Sequence, residues 1–267
     1  MKAKVISYAE DWMPLRQRSL IKTMEFFSGR GHLTKRYRKF QSTSNQFIGQ
    51  DAWDLALDHL GVRGNSTETL VVPKRRSGKG LLLVANHPFG ILDGVTLAWI
   101  ASRIDPNFRV IANRVLRQEP SLNPNILPIE FRPGREATKL NVDTRRKAIE
   151  ILRSGGVLAL FPAGAVSWSP EPGVAARDDI WKPLVGRLIK ASSTDVLPIR
   201  FNGANSKLFQ QASRISLTLR LGLYMHEVCR RIDNPIDFIL APAIPFEEIP
   251  DLPDQELANW LRNQVIR

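Results

Sequence analysis

One cysteine, Cys229, stands in 267 residues. An intramolecular disulfide and any cysteine-rich metal site are thereby excluded, which suits a reducing compartment. Histidine is scarce too, and His32, His59 and His226 have no partners at metal-ligand spacing, so no metal site is expected. Acidic residues number 26 against 38 Lys and Arg. The resulting +12 charge and pI near 10.2 direct the chain toward an anionic partner: nucleic acid, acidic lipid headgroups or a polyanionic cofactor. A long apolar run is missing as well. The longest apolar region, 80–102, is broken by Asn86, His87, Pro88 and Asp93, groups costly in a bilayer, so no transmembrane helix is expected. The start, MKAKVISYAEDW, reaches acidic residues before an apolar core develops and does not read as a secretory signal, which points to the cytoplasm. Repeats and low-complexity tracts are absent.

What the chain does have is 43% hydrophobic residues, enough for a real core. Charge is concentrated at one end: residues 1–40 hold ten Lys or Arg against Glu10, Asp11 and Glu25. Residues 14–27 read as a basic amphipathic helix, with Leu20, Ile21, Met24 and Phe27 at helical spacing. Short helical patterns follow at 33–40 and 51–60. From about residue 68, β-like runs alternate with helices: 69–72, 81–85, 108–112, 126–131, 157–161 and 196–201. That alternation predicts an α/β fold with a mixed, largely parallel central sheet flanked by helices, preceded by the basic helical segment. The clearest helices are 142–154, 181–192 and the carboxyl-terminal PDQELANWLRNQVIR, while alternating Leu217, Leu219, Leu221 and Leu223 predict a half-buried strand. PKRRSGKG, 73–80, lacks the residues of a phosphate loop and reads as a basic loop.

Three strands end in punctuated turns. In VANHPFGILDG, 84–94, Pro88 forces His87 away from helical geometry, so His87 sits at a strand's carboxyl end, where open α/β sheets keep their ligand crevices. Asp93 falls at the start of the next helix. Two readings fit the pair: an aspartate that fixes the tautomer of a general-base histidine, or a helix cap beside an ordinary loop histidine. The second strand end is LALFPAGAVSWS, 158–169, whose Ala163 and Gly164 amides suit an oxyanion or phosphate, or simply turn the chain. The third, LPIRFNGANSKLF, 197–209, places Asn202 at another such rim.

The order NHPFGILDG, FPAGAVS, VLPIRFNGANSKLF, with ILPIEF, GREATKLN and GGVLALFP between, resembles the lysophospholipid acyltransferase family, in particular its bacterial hemolysin-like and ornithine-lipid branch. The resemblance spans about residues 14–250. It implies transfer of a fatty acyl chain from an acyl-carrier-protein or coenzyme A thioester to a lipid hydroxyl at a membrane surface, with no other cofactor and no nucleic acid partner. His87 is then the general base and Asp93 its orienting carboxylate. Asn113, Arg114 and Arg117 match the family's second block; Phe161, Pro162, Ala163 and Gly164 its third; Asn202 its fourth; and Asn86 precedes the histidine.

This sequence departs from the commonest family pattern in two places. Five residues, Pro88 to Leu92, separate His87 from Asp93 where four are usual, a spacing the branch shares. The third block has Ala163 and Val166 where the widespread version carries glutamate and arginine, and Ala165 where the branch carries glutamate. Without that arginine, a natural partner of phosphate, the resemblance favours a lyso-aminolipid acceptor of the ornithine type, with a lysophospholipid next. The lost charges also motivate an alternative: a non-catalytic lipid- or acyl-carrier-binding protein on the same fold. The basic segment, 1–64, is expected to hold the α/β domain, 65–267, peripherally on the inner face of the cell membrane, each Lys or Arg near anionic lipid contributing about 1 kcal/mol.

Overall fold

The computed structural model describes residues 7–9, 11–44, 47 and 50–266. Lys2, Lys4 and Glu10 of the basic end lie outside them. Three helices come first: α1 (Leu15–Phe27), α2 (Arg30–Ser44) and α3 (Gln50–Leu60), then a single turn, α4 (Asn65–Glu68). The α/β part follows as β1 (Leu81–Ala85), α5 (Ile91–Ile104), β2 (Arg109–Asn113), β3 (Ile126–Ile129), α6 (Arg135–Arg153), β4 (Val157–Leu160), α7 (Leu184–Ser192) and β5 (Asp195–Phe201). Helices α8 (Lys207–Ile215) and α9 (Leu217–Arg231), strand β6 (Phe238–Leu240) and helix α10 (Asp254–Ile266) complete the described chain. The strands form one sheet in the order β3-β2-β4-β1-β5-β6, parallel throughout except for β6, which runs antiparallel to β5. The expected mixed, largely parallel α/β fold is what forms.

Strand β1, LLLVA, is buried along its whole length because both sheet faces are covered, and a parallel strand in that position needs apolar residues at every site. Alternate side chains serve two cores. Leu81, Leu83 and Ala85 pack with Trp53 and Leu57 of α3, Leu97 and Ile100 of α5 and Val228 of α9. Leu82 and Val84 pack on the other face with Leu152 of α6, Leu188 of α7 and Leu261 of α10. The connection from β1 runs outward through α5 on the first face, and that from β4 runs the opposite way through α7 on the second. Neighbouring β1 and β4 therefore mark the point where the winding direction reverses, the usual seat of a ligand crevice.

Five sequence expectations change. Residues 69–72 form no strand, and Val71 is exposed. Leu217–Leu223 is the start of helix α9: Ser216 caps it by accepting from the Thr218 amide, and Leu217, Leu221, Tyr224, Met225 and Val228 satisfy helical spacing as well as the leucines satisfy alternation. Helix α6 starts at Arg135 instead of Val142, and α7 at Leu184 because Pro183 sets its first turn. Trp181, outside α7, is nonetheless fully buried. In α1 the predicted apolar stripe divides: Ile21 is buried against the fold, whereas Leu20 and Phe27 are exposed. No helix among the described residues is long and apolar enough to cross a membrane.

Candidate active site

Strand β1 delivers His87 to the crevice, and the turn that follows brings Asp93 back to it. Gly90, at φ +84°, makes that turn possible, and a side chain there would also press on Val166. Asp93 is completely buried in the first turn of α5, where the helix dipole favours negative charge. Its two oxygens divide the work. Oδ2 accepts the Phe89 amide at 2.8 Å, closing the loop. Oδ1 lies 3.1 Å from Nδ1 of His87. Among the described residues neither atom has a hydrogen-bond partner elsewhere, so each faces only the other. The cap position of α5 is held by Gly90 without a side-chain bond, so Asp93 is not the helix cap the sequence allowed; its carboxylate closes the loop onto Phe89 and lies against His87.

The imidazole stacks on Phe161 from the end of β4, with centroids 3.9 Å apart and planes 20° from parallel, bridging the two strands at the winding reversal. Only 17% of the His87 side chain is exposed, and Nε2, which bonds to no described residue, keeps access to the crevice. Burial of the ring opposes its protonation, but the Asp93 carboxylate outweighs it, with help from Asp178 and opposition from Arg220, and the pKa ends above the ordinary 6.5.

The remaining candidates divide between the crevice and the frame around it. Asn86 is fully engaged: its amide donates to the Phe201 carbonyl at 2.9 Å and accepts the Phe201 amide at 2.7 Å, latching the end of β1 to β5. Asn202 follows Phe201 and lines a recess of about 130 Å³ with Asn86, Ser167, Asp178 and Gly203. Pro162 accepts the Lys182 amide, Ala163 is buried, and the Gly164 amide closes a turn onto the Phe161 carbonyl, so that amide is spent inside the loop. Asn113 caps the 3-10 turn 114–118, Arg114 pairs with Glu130 at 2.5 Å, and Arg117 donates to Asn123. These three lie beyond β4, at the end of β2, and brace the β2–β3 rim. A larger cavity, about 460 Å³, is lined by Arg36, Lys39, Leu55, Asp58 and His59 and contains none of the candidates; the buried, titratable pair at the strand ends is the better guide to chemistry.

Residues 59–231, well over half the chain, match the model of a family described as acyltransferase. The chain belongs to this acyltransferase family. Its matched span holds the His87–Asp93 pair and all three punctuated strand ends, and closes with helix α9. Two similar proteins are named lyso-glycine lipid O-acyltransferase. One, from Bacteroides thetaiotaomicron, is 29% identical over 185 residues, covering 67% of this chain and 63% of that protein. The other, from Phocaeicola vulgatus, is 27% identical over 182 residues, covering 67% and 61%. The chain thus spans a little over three fifths of each relative's length.

The candidate site also involves residues that sequence reasoning missed. Asp178 is buried, accepts the His87 amide at 3.1 Å and the Trp181 indole N–H at 2.8 Å, and takes a short hydrogen bond from the Ser167 hydroxyl. Burial pushes its pKa up against the pull of those three donors. The Ser167 amide in turn donates to the His87 carbonyl at 2.7 Å, so one loop grips both sides of the His87 backbone. Helix α9 adds Arg220, buried against the Trp168 and Phe209 rings with its guanidinium on the Val166 carbonyl. Periodicity marks neither residue; the only local hint is Trp181, three residues after Asp178.

Proposed function

We propose that this chain is a membrane-peripheral O-acyltransferase that moves a fatty acyl group from an acyl-carrier-protein or coenzyme A thioester to the hydroxyl of a lyso-aminolipid. The observation that carries the reading is a histidine at the winding reversal of an acyltransferase-family sheet, with Nδ1 against a buried carboxylate and Nε2 open. Asp93 holds the proton on Nδ1, which leaves the Nε2 lone pair to take the acceptor's hydroxyl proton. The oxygen then attacks the thioester carbonyl, the tetrahedral intermediate expels the thiolate, and the proton on Nε2 passes to that sulfur. The Asp93 charge stabilises the imidazolium between these steps. The amides of Ala163 and Ala165, which donate to no described residue, are the donors within the FPAGA turn suited to the developing oxyanion.

The named relatives act on a lyso-glycine lipid, which supports an acceptor whose headgroup is an amino acid. The third block agrees: Val166 and Ala163 are apolar and buried where a phosphate reader would need charge. Mass spectrometry of membrane lipids from cells with and without the gene tests the proposal. An O-acylated aminolipid that disappears with the gene while its lyso form accumulates is the expected result; unchanged aminolipids with a changed phospholipid profile would refute the acceptor class. Purified protein given acyl-carrier-protein and coenzyme A thioesters side by side identifies the donor.

A further inference from the structure

Most arginines near the crevice are spoken for. Arg114 and Arg132 both reach Glu130, Arg117 reaches Asn123, Arg262 the Asp178 carbonyl and Arg220 the Val166 carbonyl. Arg177 also lacks a side-chain partner among the described residues but is exposed to solvent; Arg231, at the end of α9, is half-buried. Its guanidinium lies 4.0 Å above the centre of the Phe89 ring, and among the described residues it has neither a carboxylate at ion-pair distance nor a hydrogen-bond acceptor. Its Nε is buried and orphaned.

The surroundings show that this placement is built. Phe89 belongs to the loop between His87 and Asp93, and it is almost fully buried. Gly203, in the loop after β5, leaves the room the stack requires: a Cβ there would meet the Phe89 ring at 2.9 Å and the Arg231 Nη2 at 3.3 Å. The guanidinium therefore sits between the loops that leave β1 and β5, neighbouring strands on the rim that carries His87. Burial and Arg230 together bring its pKa below the usual arginine value, partly offset from a distance by the Glu227, Asp93 and Asp237 charges. A half-buried guanidinium stays protonated, and with no carboxylate at ion-pair distance its desolvation cost is only partly offset until an anion pairs with it.

We propose that Arg231 is the residue that reads an anionic group on the acceptor, a carboxylate or a phosphate held by the planar N–H edge, with Phe89 and Gly203 fixing the plane of the fork. This rests on the acyltransferase reading for the identity of the molecule bound, and it deepens that reading by giving the acceptor a charged headgroup. Arginine is suited to both anions because its paired N–H groups match two oxygens at once.

The test uses the full chain and three probes: a hydroxyacyl amide of glycine, its methyl ester, and lysophosphatidate. Equilibrium binding is read by tryptophan fluorescence and, in parallel, acyl transfer from a thioester by mass spectrometry. The wild type is expected to bind the acid about tenfold to hundredfold more tightly than the ester, the range of a charge-assisted pair. Arg231→Gln is expected to bring that ratio close to one, and Arg231→Lys, which keeps the charge and loses the fork, to leave an intermediate ratio. A preference for lysophosphatidate lost in Arg231→Gln keeps Arg231 as the anion reader, identifies the anion as phosphate and overturns the aminolipid acceptor. An acid-to-ester ratio near one in the wild type, or unchanged in a folded Arg231→Gln, overturns the assignment. Should Arg231→Gln fail to melt cooperatively, the Arg231→Lys ratio decides by the same criterion. Selective, Arg231-dependent binding of the acid without ester formation leaves the assignment standing and removes the acyltransferase reading.

Discussion

Asp93→Asn separates the two jobs of one carboxylate. The substitution is nearly isosteric, and the side-chain oxygen can still accept the Phe89 amide, so the loop and the start of α5 keep their closing hydrogen bond. What goes is the charge 3.1 Å from Nδ1. At that separation two unit charges in a medium of effective dielectric about 20 attract by roughly 5 kcal/mol, an upper limit for the stabilisation of an imidazolium formed during the reaction. At about 1.4 kcal/mol per factor of ten, kcat should fall by the order of 10³-fold, while KM moves little because Asp93 is wholly buried behind the ring. The pH profile adds a signed check. The base works unprotonated, so kcat/KM rises with pH through an ionisation that Asp93 holds above 6.5 in the wild type. With that charge removed, burial is the leading influence, and the rising limb moves to lower pH. Steady-state kinetics of thioester consumption between about pH 5 and 9, with a thermal melt as the folding control, decide the matter. A kcat within about threefold of wild type, or a limb that does not move, would refute the reasoning.

The remaining expectations follow from the same geometry. Asp178→Ala strands the His87 amide, the Ser167 hydroxyl and the Trp181 indole together, at about 1–3 kcal/mol for each buried orphan, so the melting midpoint should drop by well over 5 °C and kcat should fall with it; a midpoint within about 2 °C argues that the loop repacks. Gly186→Ala places a Cβ 2.6 Å from the Asp254 carbonyl and 2.9 Å from its Cα, which pushes α7 from α10; a loss of about 1–3 kcal/mol by urea unfolding is expected, without a change in KM. Phe26 and Phe27 are 75% and 81% exposed on a basic helix, so Phe26→Ser/Phe27→Ser should weaken pelleting with anionic vesicles by tenfold or more, and unchanged pelleting would remove α1 from the membrane contact.

The sheet was legible because its central strands are buried on both faces: LLLVA and VLALF announce themselves without any partner in view. His87 and Asp93 were legible as neighbours because proline, glycine and a helix start fix them within one loop; that Asp93 would bond to the Phe89 amide rather than cap the helix was not. Leu217–Leu223 misled because a leucine every second residue satisfies a strand, whereas the helix becomes evident only when the count runs on to Arg231. Asp178 and Arg231 were out of reach for a different reason. The hydrogen bond between Asp178 and His87 joins residues 91 positions apart, and Arg231 meets Phe89 only after the chain has laid down β2, β3, β4 and β5. Neither contact has a local signature in composition or period. The lost charges of the third block were visible from the start; that helix α9 brings arginine to the same rim was not.

The central claim, that His87 is the base of an acyl transfer to a lipid hydroxyl, is met most directly by kcat/KM of His87→Ala for ester formation, measured beside the wild type with the same thioester and lyso-aminolipid. The account predicts a fall of about 10³-fold or more with the melting midpoint and acceptor affinity largely kept. Ester formation that continues within tenfold of the wild-type rate would contradict it.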